Sequence, residues 1–177
     1  ELKEGWCHNA DKLVKVTVDP KNPRYSNYGD NILIGKSTLE QDNYDVLIFC
    51  NRDAEEVTIP NFIKIIAPFS FEKCTQIQTI EFEKDSQLQT IQKNAFINSA
   101  IEKICLPKNL KEIKEKAFSN CYFFSKIEIP SNSELNTIEN SAFKDTSIDK
   151  ISIPSKLTNL QEGWSISNKL KEIVVDS

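Results

Sequence analysis

The sequence predicts a strand-dominated solenoid with a parallel β-sheet on one side, short helical turns and one β-hairpin insertion. Three observations support this prediction. A short phrase recurs along most of the 177 residues, each copy ends in an alternating pair of aliphatic residues, and an aromatic residue holds a fixed place in each copy. A unit this short cannot bury its own apolar face, so successive copies must stack.

Six copies of the phrase fill most of the chain. The clearest copies read Leu-x-x-Ile, then an aromatic residue, an aliphatic residue and x-x-Ile-x-Ile. The copies cover residues 2–19, 62–82, 88–107, 110–130, 135–154 and 157–176. A fixed period of this length is the signature of a repeat array rather than of an ordinary globular core.

The aromatic residue of each copy is preceded by a small residue. The aromatic residues are Trp6, Phe71, Phe96, Phe118, Phe143 and Trp164, and the small residues are Gly5, Ser70, Ala95, Ala117, Ala142 and Gly163. A small residue lets two backbone layers approach while the ring fills the space between them. We therefore predict a continuous inner column of rings, with short helical turns around these positions.

Alternating aliphatic pairs predict seven short parallel strands. The pairs are Val16/Val18, Val57/Ile59, Ile80/Phe82, Ile104/Leu106, Ile127/Ile129, Ile151/Ile153 and Ile173/Val175. Such alternation, rich in β-branched residues, is typical of a strand with one buried face. Four pairs are followed directly by Pro60, Pro107, Pro130 or Pro154. A proline there ends the strand because it lacks a backbone N–H.

One interval between strands, from Val16 to Val57, is much longer than the others. It contains two apolar runs, 31–34 and 45–50, separated by a polar stretch with glycine, serine, aspartate and asparagine. This pattern predicts a β-hairpin. We place the insertion at residues 20–55 of a single solenoid domain, 1–177. Because the chain begins within a repeat and contains no methionine, we expect it to be a fragment of a longer protein.

Composition argues against several classes of function. The formal net charge of −4 and the pI of about 5.2 offer no basic face for nucleic acid or anionic lipid. No apolar run approaches the roughly 20 residues that span a bilayer. No phosphate-binding glycine motif, zinc-protease motif or nucleophile elbow occurs in the sequence. We therefore predict no catalytic residue, no cofactor and no metal.

The cysteines and the single histidine support the same prediction. Five cysteines cannot all pair within one chain and none forms a CxxC motif, so a disulfide framework is not expected. Cys74 and Cys121 hold the same repeat position and are predicted to be small buried residues. His8 lies directly beside Cys7 in sequence. Neighbours on an extended chain point apart, so they are a poor nucleophile and base pair.

Residues that alternate with the buried pairs are expected to form an outward surface. The candidate protein-binding residues on this surface are Thr79, Glu81, Lys103, Cys105, Lys126, Glu128, Lys150 and Ser152. The three lysines fall on consecutive rungs, where an acidic partner would relieve their repulsion. The alternative is a solvated lysine edge that discourages aggregation. Cys105 is predicted to be either exposed or groove-lining.

The insertion supplies a second group of candidates. Aromatic and basic side chains there could give specificity, and the candidates are Arg24, Tyr25, Tyr28 and Tyr44.

The phrases KAFSNC and KIEIP, repeated in register, resemble the BspA-like, or Treponema-type, leucine-rich repeats. The segment YSNYGDNILIGKS is similar to a hairpin insertion seen in that family. Two departures are that cysteine occupies its family position only at Cys74 and Cys121, and that tryptophan twice replaces phenylalanine. The resemblance covers nearly the whole chain and implies a leucine-rich-repeat solenoid.

The resemblance also implies a function. Such arrays serve surface adhesion, host-protein binding or other protein recognition in bacteria and protists. We therefore expect a non-catalytic protein-recognition or adhesion module of a larger cell-surface or secreted protein. Its partner would be a protein, for example a host or extracellular-matrix protein, and not nucleic acid, and we expect no direct insertion of this fragment into a membrane. The alternative is an intracellular scaffold array joined to another domain.

Overall fold

The structure, a computed structural model, describes residues 1–176 and confirms the predicted solenoid of parallel strands. Fourteen strands, numbered β1 to β14 in chain order, form its regular structure. Each full coil of the solenoid contributes two strands, one to each of two sides. In this described range no helix is long and apolar enough to cross a membrane.

The first side is built from the predicted Ile-x-Ile strands and is called the ladder here. Its strands are β4 (Val57–Ile59), β6 (Thr79–Phe82), β8 (Lys103–Cys105), β10 (Lys126–Glu128), β12 (Lys150–Ile153) and β14 (Glu172–Val175). The first four form one parallel sheet, and β12 and β14 form a parallel pair that packs next to β10. Six of the seven predicted strands are therefore confirmed.

The seventh predicted strand, at Val16 and Val18, is wrong. The side-chain amide of Asn27 accepts a hydrogen bond from Val18 N at 3.1 Å and donates one to Val16 O at 2.7 Å. The backbone groups of Val16 and Val18 that would bond to a neighbouring strand are thus bonded to the Asn27 side chain instead. Both valines pack instead against a small satellite core that contains Leu33 and Phe49.

The second side is an eight-stranded sheet, called the insertion sheet here, of which the sequence predicted only the hairpin strands β2 and β3. Its strands are β1 (Tyr25–Tyr28), β2 (Ile32–Gly35), β3 (Val46–Cys50), β5 (Ile65–Ile66), β7 (Thr90–Ile91), β9 (Glu112–Ile113), β11 (Thr137–Ile138) and β13 (Asn159–Leu160). The five solenoid strands have two residues each. Two residues are too few to show a period-2 pattern, so only stacking of successive coils defines them.

The insertion contains the predicted hairpin and one strand more. β2 and β3 pair antiparallel with a register shift at Leu33/Ile34, and β1 adds to β2 along its other edge. β3 then pairs in parallel with β5, with Val46 opposite Ile65. The insertion is therefore a continuation of the solenoid sheet rather than a separate appendage.

Tight turns, not helical turns, surround the aromatic positions, so that part of the prediction is wrong. In one coil, Ala95 N donates to Gln92 O and Ile97 N donates to Asn94 O, each closing a short turn. Asn94 and Asn98 have φ values of 57° and 59°. Left-handed residues four apart interrupt the right-handed helical path, because L-residues do not sustain a helix in that region.

The same turns correct the predicted positions of the two tryptophans. Gly163, with φ of 68°, holds the left-handed position that Ser141 holds in the preceding coil. Trp164 then takes the place of Ala142, and its carbonyl accepts from Phe143 N as the Ala142 carbonyl accepts from Phe118 N. The tryptophans are therefore half-buried at the small-residue position, and the column of stacked rings holds phenylalanines alone.

The phenylalanine column is confirmed. Ring centroids lie 4.6 Å apart for Phe71 and Phe96, 4.9 Å for Phe96 and Phe118, and 5.4 Å for Phe118 and Phe143. The planes of successive rings differ by 11° or less. Each of these rings is at most 1% exposed, so the column runs along the solenoid axis as its core.

Candidate protein-binding surfaces

On the outer face of the ladder, β6, β8 and β10 hold their predicted candidates in register, whereas β12, with Lys150 and Ser152, pairs with β14 and not with β10. Lys103 lies opposite Lys126, and Cys105 lies opposite Glu128. Glu81, Lys103, Cys105, Lys126, Glu128 and Lys150 are exposed, whereas Thr79 and Ser152 are half-buried. Since β-strands neighbour one another at about 4.8 Å, these side chains form a closely spaced polar surface.

Two of the three ladder lysines are neutralised by glutamates. Lys126 Nζ lies 2.9 Å from Glu128 Oε1, and Lys150 Nζ lies 2.9 Å from Glu172 Oε1. Hydrogen bonding to Glu128 raises the pKa of Lys126. Lys103 makes no ion pair with any carboxylate in residues 1–176. Of the predicted lysine column, Lys103 is therefore the position whose charge is available to a partner.

Cys105 is exposed and its thiol is hydrogen-bonded. Its Sγ donates to Glu128 Oε2 at 2.9 Å. This hydrogen bond raises the pKa of Cys105, and it also lowers the pKa of Glu128 together with the hydrogen bond from Lys126. Cys105 is therefore accessible but held in its protonated, weakly nucleophilic form.

The insertion candidates do not join this surface. Tyr25 and Tyr28 lie in β1, Arg24 lies just before it, and Tyr44 lies in the loop before β3. No strand of the insertion sheet pairs with the ladder. Arg24 forms an ion pair with Glu1 at 2.8 Å, and the Tyr25 hydroxyl accepts from Leu2 N at 2.9 Å. These two side chains hold the first residues of the chain in place.

The other two insertion candidates, Tyr28 and Tyr44, are partly exposed, and the ring of each contacts another side chain. Tyr28 is 38% exposed and lies edge-on to Phe62, with ring centroids 5.7 Å apart. Tyr44 is half-buried, with Lys36 Nζ 5.6 Å from its ring centroid. Tyr28 is thus the insertion candidate with the most ring surface open to a partner.

Two aromatic residues that the sequence analysis did not single out are far more exposed. Tyr122 is 63% exposed and Phe123 is 65% exposed. In their repeat, residues 119–123 separate the column ring from the next core side chain, whereas in the following repeat only residues 144–147 do. The additional residue forms a bulge before β10. The run Tyr-Phe-Phe was the available signal, since only its third member, Phe124, is needed for the core.

An open cleft of about 850 Å³ lies beside this aromatic bulge. Tyr122 lines it together with Asp145, Ser147, Asn168 and Ile166, the last of which is 52% exposed. The Ser147 hydroxyl donates to Tyr122 O at 2.6 Å, which ties the bulge to the next coil. The bulge is therefore a fixed aromatic projection at the entrance to a ladder strand.

His8 and Cys7 are engaged with different partners. His8 Nδ1 lies 3.0 Å from Glu72 Oε1, while the Cys7 thiol donates to Phe69 O at 3.6 Å. Across residues 1–176 no three or more side chains of the metal-binding types converge on a common point.

Two stacked parallel sides, a continuous ring column and one coil every 22 to 24 residues define the chain as a leucine-rich-repeat solenoid. The family described as the BspA type leucine-rich repeat region matches residues 46–171 in 6 copies. The chain belongs to the BspA-type leucine-rich repeat family. Comparison with curated proteins finds no match.

Solved structures share the fold. A leucine-rich repeat protein from Bacteroides ovatus has a TM-score of 0.70 and 24% identity over 85% of this chain and 41% of its own. The pneumococcal vaccine antigen PcpA has a TM-score of 0.66 and 22% identity over 88% of this chain and 50% of its own.

A third neighbour is a leucine-rich cell surface protein from Faecalibacterium prausnitzii. It has a TM-score of 0.51 and 16% identity, covering 90% of this chain and 56% of its own. The chain therefore spans about half the length of these structures.

Proposed function

We propose that this chain is a non-catalytic protein-recognition module of a cell-surface or secreted protein, and that it binds its partner through the outer face of the ladder. The observation that carries the proposal is the composition of that face. It presents the free charge of Lys103 beside the Lys126–Glu128 pair, and the exposed rings of Tyr122 and Phe123 stand at its edge.

Physical properties of the face suit protein recognition. Aromatic residues are enriched among the residues that dominate binding energy, and surrounding polar groups set orientation and specificity. Backbone hydrogen bonds between coils fix the face, so little conformational entropy is lost on binding. A broad, rigid surface of this kind supports association with another protein better than it supports enclosure of a small substrate.

The family and its structural neighbours support the cellular setting of the proposal. One neighbour is described as a cell surface protein and another as a vaccine antigen. By analogy we assign this chain to the cell surface or to secretion, with a host or extracellular-matrix protein as its partner. The insertion candidates contribute least, because Arg24 and Tyr25 are used to hold residues 1 and 2.

The test is surface plasmon resonance between the immobilised chain and a panel of purified extracellular-matrix proteins. For any protein that binds, Lys103→Glu should weaken affinity about tenfold, because reversal of a charge in the interface costs about 1.4 kcal/mol. The double variants Lys126→Glu/Lys150→Glu and Tyr122→Ser/Phe123→Ser should weaken binding further, since they change more of the same face.

The matched control is Lys111→Glu, a charge reversal at an exposed lysine just before β9 of the insertion sheet. It should leave the affinity within about twofold, because it lies outside the ladder. Equal binding by the native chain and all ladder variants, with circular dichroism showing that each is folded, would contradict the assignment of the ladder face.

A further inference from the structure

Two buried thiols meet where the insertion joins the solenoid. Cys50 ends β3 and Cys74 lies in the turn of the next coil, and both are 0% exposed. Both sulfur atoms contact the same carbonyl oxygen, Asn51 O, at 3.5 Å from Cys50 and 3.8 Å from Cys74. Residues 24 positions apart in the chain are thus neighbours through stacking alone.

A buried guanidinium lies against this thiol pair. Arg52 is 2% exposed, and its Nη1 donates to Ser70 O at 3.0 Å and to Cys74 Sγ at 3.8 Å. Its Nη2 donates to Phe69 O at 3.1 Å and to Cys7 O at 3.4 Å. No carboxylate of the described chain forms an ion pair with it. A buried cation favours the thiolate form of a thiol that it contacts, so Arg52 favours a Cys74 thiolate, while the buried carboxylate of Glu72 opposes it.

The chain provides an internal comparison, because later coils fill the Cys74 position differently. Ser99, Cys121 and Thr146 occupy it in turn, and all are buried. Cys121 faces the Ser99 hydroxyl at 3.3 Å rather than a second thiol. Burial raises the pKa of Cys121 to about 12. At Cys74 the adjacent Cys50 thiol and Arg52 lower the pKa, against the opposing effects of burial and Glu72, while Cys74 and burial raise the pKa of Cys50.

We propose that Cys50 and Cys74 are a redox-active pair that forms a reversible disulfide, covalently tying the insertion strand β3 to the adjacent coil. The oxidant is a small-molecule disulfide, and Cys74 is the attacking thiol. The bond goes beyond the proposed binding function and does not depend on it. It is a single disulfide between β3 and the adjacent coil, and the hydrophobic core remains the main source of stability.

The exchange proceeds in two balanced steps. The Cys74 thiolate attacks one sulfur of oxidised glutathione, which forms a mixed disulfide and releases one glutathione thiolate. Cys50 then loses its proton and attacks the Cys74 sulfur, which forms the Cys50–Cys74 bond and releases the second glutathione. The two cysteines are oxidised by two electrons in total, and the glutathione disulfide takes up those electrons and the two protons. Because both sulfurs are buried, exchange occurs during folding or after local opening.

The experiment uses the full chain with Cys105→Ser, which removes the exposed thiol. The protein is unfolded in urea and refolded in oxidised or reduced glutathione. Free thiols are then alkylated in urea, where the buried thiols also react, and the products are mapped by peptide mass spectrometry. After oxidised refolding we expect one cross-link, between Cys50 and Cys74, with Cys7 and Cys121 alkylated. The Tm should rise by about 6–12 °C, because a loop of about 24 residues is closed. Dithiothreitol should reverse both changes.

The test variant and its matched control change buried cysteines at the same repeat position, Cys74 and Cys121. Cys74→Ser should abolish the cross-link and the Tm difference, whereas Cys121→Ser should leave both. Serine fits this position, since Ser99 occupies it in the intervening coil. If Cys74→Ser does not fold, Cys50→Ser tests the same bond from its other end. Alkylation of both Cys50 and Cys74 after oxidised refolding, or a cross-link through Cys7 instead, would overturn the proposal.

Discussion

At the residue scale, the cysteines show how far a repeat position determines chemistry. Alternation along the strand correctly placed Cys105 on the exposed face, and the shared repeat position correctly predicted burial of Cys74 and Cys121. The repeat could not show what each thiol touches. Cys105 donates to Glu128 across the ladder, whereas Cys121 lies beside Ser99 in the core. The repeat position of a cysteine therefore predicts whether it is buried, whereas its reactivity depends on the side chains of the neighbouring coil.

Removal of the Glu128 carboxylate should make Cys105 more reactive. The hydrogen bond to Glu128 raises the pKa of Cys105, so Glu128→Gln lowers it and increases the thiolate fraction at a given pH. We expect alkylation of Cys105 by iodoacetamide at pH 8 to accelerate roughly threefold to tenfold, with its pH–rate profile shifted to lower pH. Glu172→Gln, a similar change on a different strand pair, should leave the rate unaltered. An unchanged profile for Glu128→Gln would show that the hydrogen bond does not control the thiol.

At the element scale, the ladder was predictable, whereas in the insertion sheet only the hairpin strands β2 and β3 were. A ladder strand carries three or four residues with a buried and exposed alternation, which is a local signal. A strand such as β7 or β9 has two residues and exists because adjacent coils hold it in register. The corner turns are likewise set by left-handed residues as different as Asn94 and Lys116, which carry no common sequence signal.

The phenylalanine column should be the main source of stability between coils. Phe118 is fully buried and contacts Phe96, Phe143 and Phe124. Phe118→Ala should lower the free energy of unfolding by about 3–5 kcal/mol, from lost burial and the cavity left behind. Urea denaturation followed by circular dichroism measures this loss. Phe123→Ala, a truncation of the same residue type at the surface, should change stability by less than about 0.5 kcal/mol. Similar losses in both variants would contradict a structural role confined to the column.

At the scale of the whole molecule, the insertion proves to be part of the solenoid. The sequence correctly predicted a hairpin between two repeats. The prediction treated residues 20–55 as a segment inserted into the solenoid. In the structure β2 is buried at all four residues, and β3 pairs with both β2 and β5. Arg52 binds carbonyls of two other segments at the same junction. The insertion therefore extends the stacked sheet beyond β5 and packs with residues 6–18 in the satellite core.

Deletion of residues 20–55 should unfold at least the first coils rather than yield a trimmed solenoid. The deletion removes β3, the strand with which β5 pairs, and exposes core residues such as Ile66 and Phe71 to solvent. We expect loss of the cooperative thermal transition and of near-ultraviolet circular dichroism. Replacement of the exposed loop 38–40 by Gly-Ser-Gly is the control and should keep the Tm within about 2 °C. A deletion variant that melts like the native chain would show that the insertion is dispensable.

The sequence by itself determined the repeat, the solenoid, most strands of the ladder, the outward residues and the phenylalanine column. These features follow from short-range periodicity that recurs in six copies, so each copy reinforces the others. The tertiary structure alone decided the two-residue strands of the insertion sheet, the corner turns, the tryptophan positions, the exposed Tyr122 and Phe123, and the meeting of Cys50 with Cys74. Those features depend on contacts between residues about one coil apart, and such contacts exist only when the coils are stacked.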